Sequence, residues 1–214
     1  EMKFFNGIFE TADQVMDQID DIGGPHSHTN YPWGWAQAGN SPFKWYKQNT
    51  HEGGVHVPMI VSGRGIANPG ALRDQFVNVS DIVPTIYEMV GATAPEVYNG
   101  LEQLPVTGRS FANALADASA PTANTVQYFE MAGSRALVAG DQESLWKAVC
   151  KHNKGADYDT ETWELYHLSA DWSECNDLAG AHPEKLVELI DLWWQEADVH
   201  GVLPLDDRGF ELFG

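Results

Sequence analysis

Ser41-Pro42-Phe43-Lys44-Trp45-Tyr46-Lys47-Gln48-Asn49-Thr50-His51-Glu52-Gly53-Gly54-Val55-His56-Val57-Pro58 is the stretch on which the reading of this chain turns. An aromatic run carries two lysines to a Glu-Gly-Gly turn. The apolar segment Val55 to Val61 follows as a short strand, with Pro58 suited to a strand end or edge. Adjacent glycines let the backbone turn sharply or approach a ligand closely. A lysine among aromatic side chains beside such a backbone describes an anion site. A lysine by itself is an ordinary surface residue, so it is the setting that marks Lys47. Lys44 is the second candidate, because a helical and an extended register would present different lysines.

Composition narrows what surrounds this stretch. The chain has 214 residues, 43% of them apolar, enough for one large or two small domains with a packed core. Eight Trp, seven Tyr and nine Phe argue against disorder. No apolar run reaches the roughly 18 residues that a membrane span needs. Twelve Lys and Arg face 31 Asp and Glu, a net charge of −19, which repels nucleic-acid phosphates and anionic membrane surfaces. The acidity is spread through helices and turns as a solubilising surface. An anionic ligand therefore needs a local cation set against the field of the whole chain. Cys150 and Cys175 are expected as two free thiols, a bridge between them remaining open if flanking strands bring them together.

Outward from the central stretch, Thr11 to Gln14 has capping-box form, and Val15, Met16, Ile19 and Ile22 recur at helical spacing until Gly23-Gly24, predicting a helix with one buried face. Residues 24 to 45 read as a long loop rich in Pro, Gly, His, Asn and aromatics, of a length that marks function. Within it His28, Asn30, Tyr31 and Trp33 offer aromatic faces and polar anchors for a pocket mouth, with His51 as a further contact. His26, His28, His51 and His56 invite a metal reading, but their spacing is no zinc pattern and no metal ligand is assigned. Ser80 is expected to cap a helix carrying Ile82, Ile86, Met89 and Val90, stopped by Gly91. A short helix from Ser110 buries Phe111, Ala114 and Leu115.

Beyond the Ala/Ser/Pro-rich link near residues 116 to 124 the period changes to two. Val126 to Met131, Arg135 to Ala139, Leu145 to His152 and Thr162 to Leu168 form four strand candidates, spaced as an antiparallel meander. A final helix from Pro183 to about His200 places Leu186, Ile190, Trp193 and Ala197 on one stripe, and the sheet is the surface available to bury it. The shift near residue 120 divides the chain into 1–120 and 121–214. Arg109 and Arg135 are read as ion-pair partners of carboxylates.

The central stretch resembles the sulfatase family at Lys47, Gly53, Gly54 and Pro58. The likeness continues in Asp81-Ile82-Val83-Pro84-Thr85-Ile86, in Gly100 through Gly108-Arg109-Ser110, and in Tyr128-Phe129-Glu130-Met131 with Gly133 and Arg135-Ala136. It closes on Trp163-Glu164-Leu165-Tyr166-His167-Leu168 with Asp171, Glu174 and Asn176-Asp177-Leu178-Ala179. These four further blocks, in order after the central stretch, carry the resemblance, which is to a bacterial arylsulfatase-like subgroup of the alkaline phosphatase superfamily. His56 and Ser134 depart from the pattern, which leaves substrate preference open.

The resemblance implies an α/β chain, the C-terminal part of an alkaline-phosphatase-like sulfatase fold, ending in a small four-stranded antiparallel sheet packed on a C-terminal helix. On this reading 1–120 completes the large domain and 121–214 is the sheet-and-helix subdomain. It implies hydrolysis of a sulfate ester by the intact protein, with Lys47 reaching the sulfate. The formylglycine nucleophile, made from a Cys-x-Pro-x-Arg or Ser-x-Pro-x-Arg motif, fits neither Cys150 nor Cys175. With the ligands for calcium or a similar divalent ion, it is expected in an N-terminal part of the same sulfatase. The chain by itself is expected to be inactive, and a periplasmic or extracellular location would follow the family. A phosphonate or phosphodiester hydrolase of the superfamily and a non-catalytic acidic binding module are the alternative readings.

Overall fold

A computed structural model describes residues 11–25 and 31–208. The chain forms two compact units, residues 1–41 and residues 42–214.

In the first unit helix α1 covers Ala12–Met16, and Thr11 closes the expected capping box with Gln14. The helix stops sooner than its apolar spacing predicts. Ile19–Asp21 form a 3-10 turn instead, whose period of about three residues no longer aligns Ile19 and Ile22 with Val15. Met16, Ile19 and Ile22 are 60%, 52% and 48% exposed, so the expected buried face does not form. A second helix, α2, spans Trp33–Asn40 where a loop was expected. Pro32 starts it and accepts the Ala36 N–H at 2.9 Å. Ala36, Gln37 and Ala38 are good helix formers that Gly34, Gly39 and two tryptophans obscure in the sequence.

The second unit is built on a four-stranded sheet in the order β3-β4-β5-β6, with β3 at Val126–Met131, β4 at Ser134–Gly140, β5 at Leu145–Cys150 and β6 at Glu164–His167. All pairs are antiparallel, Val126 opposite Ala139, Arg135 opposite Cys150 and Trp146 opposite His167. Ala132 (φ 47°) and Gly133 (φ 87°) turn β3 into β4, the left-handed pair that a two-residue hairpin requires. The meander is the expected one, with strand ends moved by one to two residues.

Both faces of the sheet are covered. Helix α6, Pro183–Val199, lays Leu189, Trp193 and Ala197 against Leu137, Ala148 and Leu165, and Trp193 donates its indole N–H to the Phe129 carbonyl at 3.1 Å. Ala136, Val138, Leu145, Val149, Tyr166 and Leu168 fill the opposite face with Phe76 and Phe129. Two-sided covering explains why Arg135 through Val138 are all buried and why β4 reads as a continuous run instead of an alternation.

Between the central stretch and the sheet lie α3 at Glu52–Val55, a 3-10 turn at Val79–Asp81, α4 at Ile82–Val90, the small hairpin of β1 (Val97–Tyr98) with β2 (Leu101–Glu102), and α5 at Ala112–Ala116. Asn78, not Ser80, caps the turn that leads into α4, and Gly91 ends that helix at φ 68°. Its buried residue is Thr85, while Ile86 and Met89 stand 53% and 44% exposed. Phe111, Ala114 and Leu115 are buried as expected. The strand expected over Val55 to Val61 is absent. Residues 56–62 pair with no described strand, and a lone extended segment has nothing to satisfy its backbone. Val57 and Ile60 are 75% and 95% exposed.

Candidate functional site

The segment from Phe43 to His56 folds back on itself through backbone bonds. The Gly53 N–H donates to the Lys44 carbonyl at 2.9 Å, and the Asn49 N–H to the Tyr46 carbonyl at 3.2 Å. The Asn49 side-chain amide also donates to the Tyr46 carbonyl at 2.9 Å. Gly54 is required by this packing: a Cβ there would fall 1.9 Å from the Asn49 carbonyl oxygen. The glycine pair thus serves close approach within a one-turn helix, not the entry to a strand. Trp45 and Gln48 take left-handed φ values of 63° and 73°, which are costly for side chains of their size. They bracket Tyr46 and Lys47.

Two charge clusters fasten this segment to the sheet. In the first, Glu52 Oε1 meets Lys147 Nζ at 2.8 Å and Glu52 Oε2 meets His56 Nδ1 at 2.8 Å. Lys147 Nζ also lies 2.9 Å from Glu174 Oε1, and the Glu52 N–H donates to Glu174 Oε2 at 2.8 Å. Burial pushes the Glu52 carboxyl up, but the Lys147 ammonium and His56 outweigh it and hold it below the usual range. In the second cluster Glu164 Oε2 accepts from Lys44 at 3.0 Å, His51 at 3.0 Å and Tyr166 at 2.6 Å. The His51 bond comes first among the causes that draw the Glu164 carboxyl down to about 2. Burial and then Glu164 push the Tyr166 phenol up. Thr50 adds a bond from its hydroxyl to the Arg135 carbonyl at 3.2 Å.

Arg135 faces the other side of the sheet. Its guanidinium pairs with Glu161 and sits 5.1 Å from the Trp163 ring and 5.2 Å from the Tyr158 ring, so it is a structural cation with no charge to offer a ligand. Cys150 lies beside it, buried and free, its thiol pushed up to about 11 by burial. Cys175 is free and exposed. A polar cavity of about 430 Å³ opens elsewhere in this unit, bordered by Asn78, Asp81, Arg109, Asn124, Tyr128 and Glu130.

Lys47 is exposed and makes no ion pair with a described residue, and it does not border the cavity. Lys44 and His51, both expected as substrate contacts, are held at the sheet by Glu164. The reason is the partner that β6 supplies more than 110 positions away. Tyr31 and Trp33, in the first unit, expose 66% and 79% of their surface, and the Tyr31 hydroxyl donates to the Trp35 carbonyl at 2.9 Å. His28 and Asn30 lie outside the described residues. Glu52, Lys147, Glu164, Tyr166 and Glu174 were not among the expected site residues. The signal for Glu164 and Tyr166 was the alternation of β6, which places both on one face.

Comparison with known proteins gives the family of the chain. The family model described as Sulfatase matches residues 16–92. An uncharacterized sulfatase of Schizosaccharomyces pombe is 31% identical over 194 residues, covering 89% of this chain and 34% of that protein. Arylsulfatase K of Xenopus laevis is 30% identical over 146 residues, 68% of this chain and 26% of its own length. A protein solved in complex with its substrate D-glucosamine-2-N,6-O-disulfate overlaps 60% of this chain and 25% of its own, with a TM-score of 0.41 and 21% identity. The chain thus spans about a third or less of the length of these relatives. With the family model, relatives along most of the chain and the ordered motif blocks in agreement, the chain belongs to the sulfatase family.

Proposed function

We propose that this chain is the C-terminal part of a sulfuric ester hydrolase of arylsulfatase type, and that Lys47 is its contact to the sulfate group. The observation that carries the reading is the contrast within one short segment. Lys44 has its charge matched by Glu164, whereas Lys47 stands exposed between two left-handed residues. Strained backbone of this kind persists only where the surroundings over-determine it, and it concentrates at functional positions. In a chain of net charge −19, an ammonium held on such a segment is a local positive centre for an anion.

Its chemistry follows from charge. A sulfate ester brings negative oxygens to the ammonium, and cleavage of the S–O bond places further negative charge on the leaving oxygen. A compact, fixed cation stabilises that developing charge more than the ground state. The nucleophile and the divalent metal implied by the family have no place among the described residues. No group of three or more His, Cys, Asp or Glu there is arranged for a metal. Cys150 is buried against Arg135, and Cys175 is followed by Asn176-Asp177-Leu178. On this reading those groups belong to an N-terminal part of the same sulfatase. Val57 and Ile60, 75% and 95% exposed, are the apolar surface proposed to pack against it.

Turnover of an aryl sulfate by the longer polypeptide, by its Lys47→Ala variant and by the 214-residue chain tests the reading. The longer protein turns over, the variant loses roughly 10²-fold in kcat/KM, and the chain alone is silent. Equal turnover by chain and longer protein would falsify this division of roles.

A further inference from the structure

Glu174 is a buried carboxylate that the chemistry above does not use. It sits in the turn after β6, and its side chain is 0% exposed. One oxygen accepts the Glu52 N–H at 2.8 Å, and the other lies 2.9 Å from the Lys147 ammonium. Its own backbone is left-handed, at φ 53°. Glycine or asparagine fills that conformation with less strain than glutamate, and the side chain's two contacts hold the residue there together with the bond from its own N–H to the Asp171 carbonyl at 3.2 Å. The Glu52 N–H is the first of α3, and α3 closes the segment in which Trp45 and Gln48 bracket Lys47. Two strained places in the chain, about 120 positions apart, are thereby joined through one hydrogen bond and one shared ammonium.

We propose that Glu174 is a positioning residue: by anchoring the start of α3 and its ion partner Lys147, it sets where the Lys47 ammonium stands. The proposal rests on the reading of Lys47 as the sulfate contact. Glu174 touches no substrate in this scheme. It acts only through the backbone of Glu52 and the strained segment before it. Lys147 stands between two buried carboxylates, Glu52 and Glu174. Removing either carboxylate changes the balance that keeps the ammonium inside the sheet.

Hydrogen exchange by mass spectrometry on the 214-residue chain with Glu174→Ala and Glu174→Gln is the first half of the test. Glu174→Ala accelerates exchange over residues 44–56 roughly tenfold or more and leaves β3, β4 and β5 unchanged. Glu174→Gln keeps an acceptor for the Glu52 N–H and restores part of the protection, and it serves where the alanine variant does not fold. A uniform rise across segment and strands, or no rise in the segment, overturns the anchor. The second half is a double-mutant cycle in the longer protein. Glu174→Ala lowers kcat/KM about tenfold when Lys47 is present and adds no further loss on Lys47→Ala, while additive losses overturn the coupling. If Lys47→Ala alone leaves turnover unchanged, the reading of Lys47 falls and the coupling with it, whereas the exchange data still decide whether Glu174 anchors the segment.

Discussion

Glu164 shows how a single carboxylate can settle the role of two other residues. Three donors converge on one of its oxygens, from Lys44, His51 and Tyr166, and the carboxyl is held near 2. A carboxyl depressed in the folded state stabilises the fold above its unfolded value of about 4.3, and that contribution is lost as pH falls toward the folded value. The parent chain should therefore lose stability progressively between about pH 4.5 and pH 2 in the window this group controls. In Glu164→Gln that part of the acid loss should disappear. The same variant should be less stable by about 1–3 kcal/mol near neutrality, because a neutral amide replaces a charged acceptor for three donors. Urea midpoints of both proteins at pH 7 and pH 3 check this, and parallel acid losses in the two would sink it. From the sequence Lys47 is the expected anion contact and Lys44 the second candidate, and the bond from Lys44 to Glu164 lies outside what the sequence displays.

Among the elements, the antiparallel sheet and α6 were legible because their signals are local. Period two over Val126 to Met131, a turn at Ala132-Gly133, and an apolar stripe ending in Trp193 and Ala197 each lie within about twenty residues. Trp193, 0% exposed at the centre of that stripe, carries the prediction at this scale. Trp193→Ala leaves a cavity over Leu137 and Leu165 and frees the Phe129 carbonyl, and should lower stability by about 3–5 kcal/mol. Thermal unfolding followed by circular dichroism checks it, and a loss below about 1 kcal/mol would show that α6 does not depend on this contact. The elements that were misread have weaker local grounds. Helix α2 was hidden by Gly34, Gly39 and their tryptophan neighbours. Residues 55–61 have the composition of a strand, but a strand also needs a partner, and none of the described residues supplies one.

For the whole molecule the governing quantity is charge. With 31 acidic against 12 basic residues, and Arg135 and Lys147 consumed in buried pairs, the surface repels itself. Screening should relieve this: raising NaCl from about 0.01 M to about 0.15 M shortens the Debye length from about 30 Å to about 8 Å. The melting temperature of the chain should then rise by about 2–4 °C, as calorimetry would record, and a fall would contradict the idea that surface repulsion governs the response to salt. The acidic balance, the meander, the last helix and the motif blocks could all be read from the chain, because composition is a sum and periodicity is a property of near neighbours. The capture of Lys44 and His51 and the Glu52–Lys147–Glu174 cluster could not. Each rests on side chains separated by about a hundred positions, and only folding the sheet against the central segment brings those charges within 3 Å of one another.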